Sequence, residues 1–159
     1  SPADILEGLN QLICRRLREG DFITAVIAFF EPGKNSLTIA RAGHNWPLFY
    51  SSKTGTIEPL KTRGVCLGID SDKGFASCLE EKNIPVKSGD VLLLYSDGIT
   101  EAMNANHHLF DQSRLESALK ESAQFPANKI VERINLRLDE FVQSQEPHDD
   151  VTMVAIKIN

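Results

Sequence analysis

Apolar positions recur along this chain with two periods, and each period predicts its own elements. In "SPADILEGLNQLICRRLREG", Ile5, Leu6, Leu9, Leu12, Ile13 and Leu17 recur at helical spacing. Ser1 stands as the N-cap, Pro2 at the first helical position and Asp4 in the first turn, with Gly20 as the stop. Phe22 to Phe30 then reads as a strand, "EPGKN" as a hairpin turn and "SLTIARAG" as the partner strand. Short strands are expected at "LFYSS", around "TIEPL" and around "FASCLEEKNI". "KSGD" is a turn into a strand from Val91 to Tyr95.

Two helices follow, one over Gln112 to Ser122 with Asp111 as cap, the other over Pro126 to Val142. In the second, Ile130, Ile134, Leu138 and Phe141 share one face. Val151 to Ile158 is a terminal strand. A helix, antiparallel strands, two helices and a last strand make an α+β domain, with helices covering one side of a largely antiparallel sheet. Strand and helix do not alternate regularly, which disfavours a doubly wound parallel sheet.

The 159 residues suit a single domain over 1–159 with one substantial core. With 42% hydrophobic and 25% charged residues the chain is an ordinary globular protein, and its apolar runs are too short to span a bilayer. A net charge of −5 and the lack of a basic patch disfavour a nucleic-acid partner. Cys14, Cys66 and Cys78 are far apart without CxxC spacing, so neither a zinc site nor a disulfide framework is expected, and a cytoplasmic setting fits. The chain opens on Ser1 and directly on a helix start, so a longer polypeptide is expected.

Two stretches carry candidate chemistry. In "LLLYSDGITEA" an apolar strand ends abruptly in Asp97 and Gly98; in "PHDDVTMVAI" Asp149 and Asp150 stand immediately before one. Each alone reads as a turn or a solvated loop. Pairing of the strands that contain Leu94 and Val154 would bring these carboxylates to one rim, a set of hard oxygen ligands suited to magnesium or manganese. His148 is a possible ligand or proton donor. His44 and Asn45 in "AGHNWP" are possible site-lining residues, although a polar turn leaving a strand is the preferred reading of them. Cys66 in "RGVCLGI" lacks the setting of a cysteine phosphatase and is expected to pack as a small apolar residue.

"RAGHNWPLFY", "RGVCLGI", "GDVLLLYSDGITEAMNANHHLFD" and "HDDVTMVAIKI" occur in the order found in the metal-dependent protein serine/threonine phosphatases of type 2C, and the chain most resembles their bacterial SpoIIE-type branch. The resemblance implies a mainly antiparallel β-sandwich flanked by helices. It also implies attack of a metal-bound water on phosphoserine or phosphothreonine, with two Mn2+ or Mg2+ ions in the complete site. Asp97 and Asp149 match the family's metal ligands, with Asp150 a neighbouring acid. Gly98 and His148 would line the site.

The implied partner is a phosphorylated regulator, an anti-sigma-factor antagonist; no membrane contact is expected of this segment, and an upstream sensory or regulatory domain is. The family's earlier "GDVSGHG"-like motif, whose aspartate bridges the two metals, has no counterpart from Ser1 onward. The chain alone is therefore expected to be weak or inactive. The alternative is a pseudophosphatase that binds its partner without hydrolysing phosphate.

Overall fold

The computed structural model describes residues 1–31, 33–69, 74–143 and 149–159. They fall into two compact units: residues 1–46 with 60–86, and residues 47–59 with 87–159. Helices and antiparallel sheets are mixed in both. Two sheets are present among the described residues where the hydrophobic pattern alone suggested one, and the chain passes between the units three times, at residues 46–47, 59–60 and 86–87.

In the first unit, α1 (Pro2–Ile13) begins with a capping box: the Ser1 hydroxyl accepts the Asp4 amide, and the Asp4 carboxylate reaches back to the Ser1 nitrogen. The helix ends at Ile13 rather than at Gly20. Arg16 and Leu17 donate irregularly to the Ile13 carbonyl, which closes a turn and sends Leu17 toward the loop at Gly68. The sheet has the order β1 (Ala25–Glu31), β2 (Ser36–Ala42), β5 (Lys82–Pro85), all antiparallel. Its core gathers Leu6, Ala40, Ala42, Leu67 and Phe75.

Phe75 lies on α2 (Gly74–Cys78), within the stretch expected to be a strand; only its C-terminal part enters the sheet, as β5. A five-residue helix is too short to stand on propensity. Burial of Phe75 and the Ser77 hydroxyl bond to the Gly74 carbonyl hold it instead.

Asn10 is buried on α1, and its side-chain oxygen accepts the Gly68 amide at 2.8 Å. Asn10→Ala leaves that partly buried N–H without its acceptor and is expected to destabilise the protein by about 1–3 kcal/mol in a denaturant titration. A midpoint unchanged from the parent protein would contradict this.

The second unit has the sheet order β4 (Thr56–Pro59), β3 (Leu48–Ser51), β6 (Val91–Tyr95), β7 (Met153–Lys157), again antiparallel throughout. The helices α4 (Asp111–Ser122) and α5 (Ala127–Val142) lie within a residue of their expected limits. The Asp111 carboxylate accepts the Arg114 amide at 3.0 Å, as a cap does. Leu115 and Leu119 of α4 and Ile130, Ile134 and Leu138 of α5 form a core with Val91, Leu93 and Tyr95, which share one face of β6; Phe141 is half-buried against it. No helix among the described residues is long and apolar enough to cross a membrane.

Candidate metal centre

The candidate ligands stand where β6 ends and β7 begins. Their register pairs Leu94 with Val154 and Tyr95 with Met153, so the residues just after β6 lie beside those just before β7. Asp97 and Gly98 are not a reverse turn: they open the short helix α3 (Asp97–Thr100), for which Ser96 is the N-cap residue.

Ser96 ties the two segments together. Its amide donates to the Thr152 carbonyl at 3.0 Å, its hydroxyl donates to the Asp150 carbonyl at 3.1 Å, and the same hydroxyl accepts the Thr152 amide at 2.9 Å. Nothing in the sequence singles out Ser96 for this role. A serine ahead of a helix reads as an N-cap, but its side chain makes no capping bond here because it is engaged across the strands.

Gly98 is required for a reason unrelated to turn geometry, since its φ is not positive. A Cβ at this position would sit 2.4 Å from the Asp150 carbonyl oxygen and 3.0 Å from its carbon. The glycine thus lets the Asp149–Asp150 backbone lie directly against the start of α3.

The Asp97, Asp149 and Asp150 residues are all exposed. The Asp149 carboxylate accepts the Asp150 amide at 2.7 Å, while those of Asp97 and Asp150 have no hydrogen-bond or ion-pair partner among the described residues. Beside them a cavity of about 860 Å³ is lined by Gly98, Glu101, Asp139 and Asp149, with apolar walls that include Leu138 and Met153; Asp97 is not among its walls.

These carboxylates are the hard oxygen donors that Mg2+ and Mn2+ take. The set is small: among the described residues, no three His, Cys, Asp or Glu side chains gather as a metal site. His148 lies outside the described residues. His44 and Asn45 belong to the first unit, on the loop leaving β2, where His44 Nδ1 is 3.1 Å from the Thr24 hydroxyl. Cys66 lies against Gly43, and all three cysteines are in the thiol form.

The chain is 29% identical over 159 residues to phosphoserine phosphatase RsbU of Bacillus subtilis, covering 98% of this chain and 45% of that protein. It spans less than half the length of the curated relatives it matches. Among solved structures, the SiaA-PP2C domain of Pseudomonas aeruginosa superposes with a TM-score of 0.84 at 20% identity, over 99% of this chain and 61% of that one. The phosphatase domain of SpoIIE from Bacillus subtilis, presoaked with manganese, gives 0.68 at 17% identity, over 100% and 67%. These two show that the mixed helices and antiparallel sheets have the fold of type 2C-like phosphatase domains. The family model described as Stage II sporulation protein E matches residues 1–159, and with the whole length matched the chain belongs to the SpoIIE family.

Proposed function

We propose that residues 1–159 form a single domain, the larger C-terminal part of a metal-dependent protein serine/threonine phosphatase. Its substrate is phosphoserine or phosphothreonine on a cytoplasmic regulatory protein, an anti-sigma-factor antagonist. The observation that carries this reading is the β6–β7 pairing, which sets Asp97 beside Asp149 and Asp150 within a chain matched along its length by one family. Asp97 and Asp149 hold Mn2+ or Mg2+, with Asp150 as an adjoining donor. When bound, the ions supply charge against the phosphate oxygens and acidify a water for attack.

The chain's own part is to hold the two acidic segments in register, which Ser96 does through the Asp150 and Thr152 backbone. Two ions need a further, bridging carboxylate, and among the described residues no three ligating side chains gather, so on this reading the chain alone is weak or inactive. The small donor set among the described residues supports a second reading, a pseudophosphatase that recognises its partner without hydrolysis.

Metal removal tests the first reading. A polypeptide carrying this chain with its native flanking sequence is expected to release phosphate from a phosphoserine peptide when manganese is added. It should stop on addition of EDTA and resume when manganese is restored. Turnover that persists through chelation would refute the metal assignment; absence of turnover with partner affinity intact would select the pseudophosphatase.

A further inference from the structure

The motifs "RAGHNW" and "KTRGVC" both belong to the first unit, which builds them into one structure. The Gly43 amide donates to the Gly64 carbonyl, and a Cβ on Gly64 would lie 1.8 Å from the Arg41 carbonyl oxygen, so the two loops are in backbone contact. Arg41 bolts them together: its Nε donates to the Thr62 carbonyl and one terminal nitrogen to the His44 carbonyl, both at 2.8 Å.

The guanidinium so held lies 5.6 Å from the centre of the Trp46 ring, and the Lys61 ammonium lies 5.1 Å from the same ring. Trp46 is 38% exposed, Lys61 is exposed and the neighbouring Val65 is 37% exposed. Neither Arg41 nor Lys61 takes part in an ion pair among the described residues, although the chain has an excess of acid. Burial lowers the Arg41 pKa from its ordinary value, only partly offset by Cys66. Cations without a counter-ion attract and orient an acid, and an exposed indole beside them supplies apolar contact area.

We infer that Trp46, Arg41 and Lys61 form a docking platform for an acidic segment of a partner protein. Arg41 is the fixed element, since its guanidinium is already oriented by two carbonyls and loses little freedom on binding. Lys61 is the mobile one. A peptide fits better than a nucleic acid because the net charge of −5 repels a long polyanion, whereas a few carboxylates on a short segment match two cations. The inference rests on the reading that this domain recognises a protein, but it needs no metal and no catalysis.

Trp46 is the sole tryptophan of the chain, so its fluorescence reports on the platform directly. Titration of the metal-free chain with a hexaglutamate peptide at low salt is expected to change the emission saturably, with affinity falling as salt is added. Lys61→Gln removes an exposed charge without touching the loop contacts. It is expected to weaken binding about tenfold and leave the melting temperature unchanged. A flat titration would overturn the platform, as would an unaltered affinity in Lys61→Gln. Equal saturation by inorganic phosphate or by oligothymidylate would also overturn it, in favour of a small-anion or nucleic-acid site. In the polypeptide with its native flanking sequence, binding without metal-dependent hydrolysis would refute the phosphatase reading alone; hydrolysis without binding would refute the platform alone.

Discussion

Asp97→Asn is expected to reduce manganese-dependent hydrolysis of a phosphoserine peptide by at least about 100-fold in the polypeptide with its native flanking sequence, while the protein stays folded. The substitution keeps the shape of the side chain and removes a charge that a divalent ion needs; a loss of a few kcal/mol of transition-state stabilisation is a loss of this size. Stability should change by no more than about 0.5 kcal/mol, since Asp97 is exposed and its carboxylate has no partner among the described residues. Raising the manganese concentration should recover part of the activity if the residue acts by binding metal. Full activity in the variant, measured at limiting manganese, would remove Asp97 from the site.

Gly98→Ala is expected to destabilise the protein by about 2–3 kcal/mol. The added methyl would lie 2.4 Å from the Asp150 carbonyl oxygen, a backbone atom that cannot step aside by changing rotamer. That carbonyl also accepts the Ser96 hydroxyl, and Ser96 in turn holds Thr152, so relieving the clash pulls on the whole junction between β6 and β7. A fall in melting temperature on the order of 5–10 °C follows for a chain of this length. Displacement of Asp149 and Asp150 should weaken manganese binding as well. Gly8→Ala is the control of opposite sign: Gly8 lies within α1, and no atom stands within 4 Å of where the alanine methyl would go, so alanine should stabilise by about 0.5–1 kcal/mol. Equal melting temperatures for the two variants would show that the close approach at Gly98 carries no energy.

Long elements with one dominant apolar face were legible in the sequence. Ile130, Ile134 and Leu138 define the buried stripe of α5, and "VLLLY" the strand β6, because burial on one core imposes the period of the backbone on the choice of residues. The Leu94–Val154 pairing was also legible, since both strands are apolar and both abut acids at the ends that an antiparallel arrangement joins. Short elements were not. Phe75 sits in a stretch whose composition suits a strand, and it became helical because the first core had a place for its ring. Leu17 continued the helical period of α1, yet the chain had already turned at Ile13, where local hydrogen bonding took over.

By itself, the sequence determined the α+β class, the limits of α4 and α5, the strand β6 and the acids that stand at strand ends. These follow from local periodicity and capping, which depend on residues a few positions apart. Only the tertiary structure decided that Gly98 serves a backbone contact rather than a turn, that Ser96 clasps β7 instead of capping α3, and that Arg41 and Lys61 converge on Trp46. Each of these depends on groups brought together from positions distant in sequence, where spacing along the chain carries no information about distance in space.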